Sequence, residues 1–569
     1  MKKLFRSIEL VLYIGTMAIF LLFFSATIFD AGVPTTVSTF ESIGIYWSPP
    51  EGADNNVCQV KYRVTGSSAW RDALPLWFDN RNGEYRGSIV NLTAGTSYEI
   101  QLTLLSSQTS QTITASTWNE TFPVAQTITL PQNSSQTLVI NQGGTANGYV
   151  LYTSGLGVSS TIDVQNQSNS NIEISGNVGY VIIRGLILKG AAHNGILLSG
   201  NVHDIIIERN DISGWGTPGS GNEAAVFGSG AIERIIIQRN RLHNPRSASL
   251  SWDFGHPGGP NAIILSNTLG NHVIRYNEMY SDFNHYFMDV IGGGTNDSND
   301  GFPTRDSDIY GNYVANCWDD GIQVEGGDQN IRIWGNYIEN TFVKIAIAPV
   351  ALGPVYIWRN IGGTSRRSHT TDVPDNYGRG PFIKSGGDTQ FNKGRVFIFH
   401  NTVLQPAPPP GQAYPLGSRG GILSSGGTTY EHVSRNNIFL HYQQGTIIKD
   451  NSNSCTNDFD YDLYNGNISA TCSIHPHESH GIKVTGFPEF DPNNGPFIDL
   501  KGKFALKPGS AGIDAGVIIP NFNDNYLGSA PDIGAFELGA LPMEFGINAY
   551  SNTKVDRAPN IPIGLQLSK

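Results

Sequence analysis

One repeated motif limits the possible folds of this chain more than any other part of its sequence. An aliphatic run that ends in asparagine, such as IIIERN or IRIWGN, recurs between residues 200 and 440. The motif asparagines are Asn210, Asn240, Asn277, Asn312, Asn336, Asn360, Asn401 and Asn436. Three residues before each stands an aliphatic side chain, namely Ile207, Ile237, Ile274, Ile309, Ile333, Ile357, Ile398 or Val433. The shortest repeat is 24 residues and the longer ones contain insertions, which is typical of a solenoid whose loops leave at fixed corners.

Each repeat is therefore expected to form one coil of stacked parallel strands. Neighbouring strands lie about 4.8 Å apart, so equivalent side chains of successive coils form ladders. The aliphatic ladder would fill the interior, and the asparagine ladder would lie at a bend where the amides hydrogen-bond to one another. The 66 glycines and the low share of charged residues, 15%, also favour turns and strands. The predicted fold class is all-β, with a parallel β-helix as the main body.

The repeat resembles the pectate-lyase-like superfamily of right-handed parallel β-helices over roughly residues 125–450. This resemblance implies a right-handed solenoid over residues 121–450 whose middle coils bind polysaccharide. The end of the chain, with FALKPGSAGIDAG and PDIGAFE, looks like the closing segment of secreted bacterial members. Residues 451–569 are accordingly expected to continue and close the solenoid.

Residues 34–120 predict a separate small β-sandwich in front of the solenoid. Short strands alternate there with turn residues, as in IGIYWSPPEG and VNLTAGTSYEIQLTLL. Trp47 in the WSPP segment, together with Leu92, Gly95, Thr96 and Tyr98, resembles the pattern of a fibronectin type III domain. Such modules usually act as spacers or adhesive units, so we expect no catalysis from this part of the chain.

Residues 1–33 predict export. Three basic residues within the first six precede an apolar stretch from Leu10 to Phe29 that is long enough to span a bilayer. This segment is either a signal peptide or an uncleaved membrane anchor, and the remaining chain is then secreted or associated with the cell envelope. Cys455 and Cys472 either pair in that compartment or are unrelated thiols. A net charge of −12 argues against a nucleic-acid partner.

An earlier strand in each coil brings charge to one part of the surface. Segments such as FMDVIGG, DGIQVEG and FIKSGG can be aligned, and strand alternation then separates inward from outward residues. The inward column is Ile196, Ile263, Met288, Ile322, Ile345, Ile383 and Ile422, and the outward column is Leu197, Ile264, Asp289, Gln323, Ala346, Lys384 and Leu423. We predict that Asp289, Glu325, Lys344 and Lys384 form one exposed patch, with Asp319 and Asp320 beside it. Insertions at 241–260, 292–306 and 362–380 would wall a groove around this patch.

Hydrolysis is the first reaction that fits the patch. The strand spacings place Asp289 and Glu325 about 8 Å apart, within the range of about 6.5–9.5 Å found between the two carboxyl groups of inverting glycosidases. One carboxyl would act as general acid and the other as general base. Asp320 is a further catalytic candidate because it belongs to the DD pair of WDDGIQVEGG, which is the nearest match to a polygalacturonase motif.

β-Elimination is the second reaction. Lys344 or Lys384 would remove the C5 proton of a uronic acid, as Lys or Arg does in the β-helix lyases that the chain resembles. A calcium ion is the cofactor that this chemistry suggests, and its candidate ligands are Asp319, Asp320 and Glu325, with Asp289 as a further ligand.

An aromatic stripe offers a different binding surface. Tyr310, Trp334, Trp358 and Phe399 each stand two residues before a ladder asparagine, where flat rings on successive coils would stack on sugars. We nevertheless expect an insertion or the N-terminal domain to cover the stripe, since an apolar patch of this size is rarely left exposed. The candidate substrate-binding residues are Trp318, Trp334, Trp358 and Arg359.

The predicted function is that of an extracellular hydrolase or lyase that acts on a glycan, with an acidic glycan as one option. The alternative is a non-catalytic adhesin, a glycan-binding protein or a self-associating component of the cell surface. In that case the charges of the middle coils are only a hydrated face. The clustered charges favour the enzyme, whereas the lack of the NTD, GHG and RIK motifs of polygalacturonases favours the alternative.

Overall fold

The structure is a computed structural model. It describes residues 32–293, 295–367, 380–405, 419–424, 427–442, 445–452, 455–486, 506 and 508–551. The predicted export segment from Leu10 to Phe29 lies outside these residues. Within them, no helix has both the length and the apolar character needed to cross a membrane.

Seven antiparallel strands form an N-terminal β-sandwich. One sheet contains Thr35–Ser38, Ile43–Trp47 and Glu84–Ile89, and the other contains Arg71–Asp79, Cys58–Val64, Ser97–Leu104 and Ser110–Ser116. Strand Arg71–Asp79 also pairs with Glu84–Ile89 and so connects the two sheets at one edge. Alternate residues of these strands, among them Trp47 and Tyr98, are buried in the interior. The hydroxyl of Tyr98 accepts a hydrogen bond from the backbone N–H of Thr93 at 2.8 Å.

The remaining strands form a parallel β-helix with three sheets, which confirms the predicted fold class. The first sheet contains Leu138–Ile140, Ala224–Ser229, Asn261–Ser266, Ile291–Gly292, Asp320–Gln323, Val343–Ile347, Ile383–Ser385, Arg419–Ser424, Thr446–Asp450 and Asn467–Ala470. The second contains Val124–Thr129, Tyr149–Thr153, Ile232–Gln238, Val273–Arg275, Asp308–Tyr310, Ile331–Trp334, Val355–Trp358, Val396–Phe399, His432–Arg435 and Asp458–Phe459. The third contains Asn133–Ser134, Ser160–Asp163, Leu186–Lys189, Asp211–Ser213, Arg241–His243, Glu278–Tyr280, Tyr313–Ala315, Tyr337–Glu339, Ile361–Gly362, Thr402–Gln405, Ile438–His441, Leu463–Tyr464 and Ile482–Lys483.

Two long strands connect the first and second sheets. Ser170–Arg184 and Asn194–Glu208 each run through both, so that the two sheets form one continuous arrangement of 22 strands, while the third sheet has 13. Two short 3₁₀ helices, Trp252–Phe254 and Phe283–His285, lie in connections that lead from the third sheet to the first. These connections border the acidic residues of the middle coils.

The predicted aliphatic column forms the interior of the second sheet. Ile207, Ile237, Ile274, Ile309, Ile333, Ile357 and Ile398 are fully buried and pair in register from coil to coil. The next coil departs from the prediction by one residue, because Ser434 and not Val433 pairs with Ile398. The corresponding ladder residue is therefore Asn437 and not Asn436. The RNN sequence at this position contains two adjacent asparagines, and the motif alone does not distinguish them.

The asparagine ladder holds the bend between the second and third sheets. Asn336 Oδ1 accepts from the backbone N–H and the Nδ2 of Asn312, at 3.1 and 2.9 Å, and Asn336 Nδ2 donates to the carbonyl of Ile309 at 2.9 Å. The pattern continues to Asp462, whose Oδ1 accepts from both nitrogens of Asn437. These asparagines are buried and bonded to one another, which confirms their predicted structural role.

The aromatic stripe is covered, as predicted, but by the C-terminal segment as well as by the predicted N-terminal domain. Trp334 stacks between Tyr310 and Trp358, with ring centroids 4.0 and 4.7 Å apart. Phe522 of the C-terminal segment packs edge-on against Trp358, with centroids 5.2 Å apart, and Phe40 of the sandwich belongs to the same buried cluster. The N-terminal and C-terminal parts of the chain thus share the second sheet as their docking surface.

Buried polar contacts fix the sandwich on the solenoid. Thr39 Oγ1 donates to Asp308 Oδ2 at 2.5 Å, and Asp308 in turn forms a fully buried ion pair with Arg332. Arg86 Nε donates to the carbonyl of Gly353 at 3.0 Å. Such bonds have specific geometry, so the sandwich is docked in one orientation against the second sheet.

The last described coils contain one disulfide. Cys455 and Cys472 are bonded, with their Cα atoms 5.4 Å apart. The other two cysteines, Cys58 and Cys317, are buried free thiols. Of the two interpretations that the sequence allowed for Cys455 and Cys472, pairing is the one found.

Candidate active site

An acidic cluster lies on the first sheet, halfway along the solenoid. It consists of Asp289, Asp319, Asp320, Glu325 and Lys384. Asp289 and Asp320 occupy equivalent positions in consecutive coils, because each stands two residues before Ile291 and Ile322, which pair in register. Lys384 lies two coils further along and follows the core residue Ile383, so strand alternation directs it outward.

The carboxylates of the cluster are close to one another. One oxygen from each of Asp289, Asp319 and Asp320 lies within 4.8 Å of the other two. Lys384 Nζ donates to Asp320 Oδ2 at 2.7 Å and lies 3.5 Å from Glu325 Oε1. Asp289 Oδ1 accepts from the backbone N–H of Asp320 at 2.8 Å, which links the two coils.

Glu325 and Asp320 differ in how well they are hydrogen-bonded. Glu325 accepts from the N–H of Ala348 at 3.1 Å, from Gln323 Nε2 at 2.9 Å and from Asn296 Nδ2 at 2.7 Å. The second carboxylate oxygen of Asp320, Oδ1, is buried and has no hydrogen-bond partner among the described residues. A buried oxygen without a donor is costly, so this atom is the one in the cluster that most favours a bound cation or a substrate hydroxyl.

Burial and neighbouring charges shift the pKa values of three groups in the cluster. Burial, and secondarily the Asp320 carboxylate, raises the pKa of Asp289 to about 8. Burial and the neighbouring Asp320 and Asp289 also raise the pKa of Asp319 well above its ordinary value. Burial alone would lower the pKa of Lys384, but the carboxylates of Asp320 and Glu325 raise it well above the ordinary value. Burial thus favours the protonated forms of the Asp289 and Asp319 carboxyl groups, which lie near the Lys384 ammonium.

The residues of the cluster and its surroundings differ in exposure. Asp289, Asp320 and Glu325 are at most 3% exposed, whereas 22% of the Lys384 side chain is exposed. His256, whose ring is largely exposed, lies with Nε2 at 3.4 Å from Asp319 Oδ2. Asp319 itself is buried, at 5% exposed, so the exposed groups at this end of the cluster are the Lys384 side chain and the His256 ring.

The first two predicted insertions do contribute to the site. His256 belongs to the insertion at 241–260, and Asn296 belongs to the insertion at 292–306. Most of the third insertion, 368–379, lies outside the described residues. The sequence did not indicate His256 or Asn296 as site residues, because side chains on loops carry no register signal.

The predicted exposure of the patch is wrong. Asp289, Asp319, Asp320 and Glu325 are buried. Side chains from two insertions contact them, Asn296 at Glu325 and His256 at Asp319. The inward assignment of Met288 is also wrong, because Ile291 is the residue that pairs with Ile263 and Ile322. The FMDVIGG segment has apolar residues in both alternations, and its alignment is therefore ambiguous. Asp289 still reaches the cluster, but at the start of a strand rather than in its middle.

Lys344 does not join the cluster. Its side chain is fully buried, and its ammonium has no hydrogen-bond partner within the described part of the chain. Burial lowers the pKa of Lys344 to about 7, against the smaller opposing effects of Cys317 and Glu339. The prediction that the Lys344 side chain is exposed is therefore wrong.

The predicted substrate-binding residues are also not exposed platforms. Trp334 and Trp358 lie under the covering segments on the second sheet. Arg359 donates to the carbonyl of Ala535 at 2.8 Å and so anchors the C-terminal segment. Trp318 precedes Asp319 but is fully buried against the ring of Tyr286, with centroids 4.2 Å apart.

The predicted metal ligands are partly brought together. The three carboxylates that could hold one ion are Asp289, Asp319 and Asp320. Glu325 is instead occupied by Lys384 and by three hydrogen-bond donors. Oxygen-only ligands suit a hard cation such as Ca²⁺, and Asp320 Oδ1, which has no hydrogen-bond partner in the described part of the chain, fits one.

Comparison of the chain with protein-family models and with curated proteins found no match.

Proposed function

We propose that this protein is an extracytoplasmic glycoside hydrolase that cleaves a polysaccharide at the acidic cluster. The observation that carries the proposal is the close approach of the carboxyl groups of Asp289, Asp319 and Asp320, within 4.8 Å, beside Lys384. Glycosidases need one protonated carboxyl and one carboxylate on either side of the scissile bond. Burial keeps the first kind of group protonated, and an ion pair keeps the second kind ionised.

Asp319 is the best candidate for the general acid. The pKa of its carboxyl is raised well above the ordinary value, mainly by burial, which favours the protonated form that can donate a proton to the leaving oxygen. It also lies next to His256, whose ring is largely exposed. Asp320, paired with Lys384, is then the carboxylate that attacks or stabilises the sugar cation.

The carboxyl separation favours retention of configuration. Retaining enzymes have carboxyl groups about 5–5.5 Å apart, whereas inverting enzymes leave about 6.5–9.5 Å for a water molecule. One oxygen from each of the three aspartates lies within 4.8 Å of the other two, which is closer than the separation of an inverting pair. We therefore assign the second carboxylate to Asp320, in place of the inverting pair of Asp289 and Glu325 that the strand spacings suggested.

β-Elimination is the less favoured chemistry. A catalytic base must be able to lose its proton near neutral pH, but the ion pairs of Lys384 raise its pKa well above the ordinary value. Lys344 has a suitable pKa of about 7, mainly because of its burial, yet it is fully buried away from the cluster.

A calcium ion is compatible with the same carboxylates. Asp289, Asp319 and Asp320 would hold it, and the ion would supply positive charge for binding a sugar carboxylate or hydroxyl. Calcium binding would also ionise Asp289 and Asp319 and so remove the proton that hydrolysis needs. Calcium is therefore expected to inhibit hydrolysis, whereas a calcium-dependent lyase would require it.

The cellular setting is part of the proposal. The Cys455–Cys472 disulfide is expected in an oxidising compartment, in agreement with the apolar N-terminal segment. The bond from Thr93 N–H to the Tyr98 hydroxyl resembles the tyrosine corner of fibronectin type III domains, which supports that assignment for the sandwich. The non-catalytic alternative, an adhesin or a self-associating surface component, remains the second candidate because the acids are largely buried.

The test is a screen of purified residues 34–569 against neutral and acidic polysaccharides. Reducing ends and the absorbance of unsaturated uronic acid are read together. New reducing ends without the absorbance support the hydrolase. A rise in both signals would indicate a lyase, and binding without either signal would indicate the adhesin.

A further inference from the structure

A cavity lies at the junction between the N-terminal sandwich and the second sheet of the solenoid. Its volume is about 540 Å³, within the range of about 300–1,000 Å³ that is typical of small-molecule sites. The sandwich contributes residues from the loop at 54–57 and from strand Arg71–Asp79, and the solenoid contributes residues at the starts of strands Val396–Phe399 and His432–Arg435. The acidic cluster lies on the first sheet, so this cavity is a separate feature of the molecule.

Partly exposed aromatic rings form much of the cavity wall. Trp77 and Phe78 of the sandwich and Tyr430 of the solenoid line it, and each is half-buried. The ring of Trp77 lies on the guanidinium of Arg86, whose Cζ is 5.2 Å from the ring centroid and whose side chain is fully buried. The face of the indole towards Arg86 is therefore its inner face, and the opposite face is the one left for a ligand. A flat apolar face of this kind suits the packing of a sugar ring.

Hydrogen-bonding groups line the same cavity. Asp54 is exposed and accepts from Asn80 Nδ2 at 3.1 Å. On the solenoid side, Arg395 Nη1 lies 3.4 Å from Glu431 Oε2, which is longer than the 2.7–2.9 Å of a good charge-assisted bond, and the two side chains are 31% and 24% exposed. Carboxylates, an amide and a guanidinium together offer acceptors and donors. The hydroxyl groups of a sugar need both, because each hydroxyl donates and accepts.

The charges that line and support the cavity balance one another. Asp54 and Glu431 are the acids of the lining and Arg395 is its base, while the Lys393 ammonium lies 4.4 Å from the ring centroid of Tyr430. Two further acids and two further bases beside Trp77 are paired with one another, namely Asp79, Glu84, Arg81 and Arg86. An anionic ligand would be repelled by the two carboxylates of the lining, and a cationic ligand by the guanidinium and the ammonium. The cavity therefore favours an uncharged ligand with many hydroxyl groups.

We propose that this cavity binds an uncharged oligosaccharide, with one sugar ring against the outer face of Trp77 and hydroxyl groups bonded to Asp54, Arg395 and Glu431. The site would hold the protein on a glycan without cleaving it, so the proposal does not depend on hydrolysis at the acidic cluster. A ligand in this position contacts both the sandwich and the second sheet. Its binding should therefore stabilise the docked arrangement of the two and increase the thermal stability of the protein.

The test is a binding measurement by isothermal titration calorimetry on residues 34–569. The probes are the hexasaccharides of cellulose, xylan, mannan and starch, with hexagalacturonate as the anionic comparison and choline as the cationic one. At least one of the four uncharged probes should bind and should raise the melting temperature. Its affinity should change less than about twofold between low and high salt, because salt screens interactions between charges and the ligand has none.

Two pairs of variants locate the binding site. Trp77→Ala and Asp54→Asn should each weaken binding about tenfold or more, since they remove the aromatic face and an exposed acceptor. Trp70→Ala and Asp72→Asn are the matched controls and should bind as the original protein does. Trp70 is also a half-buried tryptophan of the sandwich with a guanidinium over its ring, that of Arg63 at 4.4 Å, and Asp72 is also an exposed aspartate. Neither control residue lines the cavity.

A further variant separates this cavity from the acidic cluster. Asp319→Asn should bind the uncharged probe with the affinity of the original protein, so failure of the hydrolase proposal does not affect this one. Loss of binding in Asp319→Asn but not in Trp77→Ala would place the ligand at the acidic cluster and overturn the proposal. No binding of any uncharged probe, tighter binding of hexagalacturonate or choline than of every uncharged probe, or equal losses in Trp70→Ala and Trp77→Ala would overturn it as well. Thermal melting of each variant without ligand confirms that it is folded, and Asp54→Asn, which changes only an exposed side chain, keeps the test valid if Trp77→Ala unfolds.

Discussion

Replacement of Lys384 by methionine is expected to destabilise the protein in a strongly pH-dependent way. The Lys384 ammonium lies 2.7 Å from a buried oxygen of Asp320 and 3.5 Å from a buried oxygen of Glu325. Removing one partner of a buried ion pair usually costs about 3–5 kcal/mol, because the remaining charge is left without compensation. We expect a loss of this size at pH 7.5.

The pH dependence follows from protonation of the carboxylates that Lys384 contacts. Burial raises the pKa of Glu325, and the Lys384 ammonium opposes this effect. Without the ammonium, the buried carboxylates of the folded variant take up protons more readily than those of the unfolded chain, which ionise near pH 4. The folded variant then binds more protons than the unfolded chain above about pH 4, and its stability falls as pH increases. Below about pH 4 both states are protonated, and the penalty should shrink to about 1 kcal/mol or less.

Urea unfolding midpoints at pH 4 and pH 7.5 measure this effect. Lys449→Met is the matched control, since Lys449 pairs in register with Leu423, the residue that follows Lys384 in the same column. That control should lose less than about 1 kcal/mol at either pH, as surface substitutions usually do. A Lys384→Met loss that is equal at the two pH values, or no larger than that of Lys449→Met, would refute the assignment of charges in the cluster.

Three other predictions test the solenoid and the site. Asn336→Ala should cost about 3–5 kcal/mol in urea unfolding, because it leaves several buried ladder groups without a partner, while the exposed Asn201→Ala should change stability by less than about 0.5 kcal/mol. Asp289→Asn should increase the thermal stability at pH 7 and have little effect at pH 4. The raised pKa of Asp289, caused mainly by burial, makes the folded original protein lose stability as pH rises from about 4 towards 8; an unchanged melting profile would contradict this. Cys472→Ser should cost about 3 kcal/mol, the value for a closed loop of about this length, and reducing agent should give the same loss in the original protein but none in the variant.

The repeated parts of the fold could be predicted from the sequence. The interior column from Ile207 to Ile398 and the asparagine ladder follow from one motif, because a stacked coil forces equivalent residues into register. The prediction failed where the motif was locally ambiguous. Asn436 and Asn437 are adjacent, and Met288 and Ile291 both fit an inward position.

The candidate site was predictable only in part, for a related reason. The alternation of side chains along a strand correctly predicted that Lys384 points outward, because its strand is regular and is paired on both sides. The same rule failed for Lys344, whose side chain was expected to be exposed but is buried. The burial of Asp320 and the presence of His256 depend on loops between the sheets, and the period of the repeat carries no information on where such loops pack.

Proton donation by Asp319 during glycoside hydrolysis is tested most directly by comparing Asp319→Asn with Asp458→Asn on the polysaccharide that the original protein cleaves. Asp458 is an exposed carboxylate on the second sheet, away from the cluster. Asp319→Asn should lose about 10²- to 10⁴-fold in kcat with a normal thermal unfolding profile, and Asp458→Asn should retain full activity. Full turnover by Asp319→Asn would contradict this role of the carboxyl group.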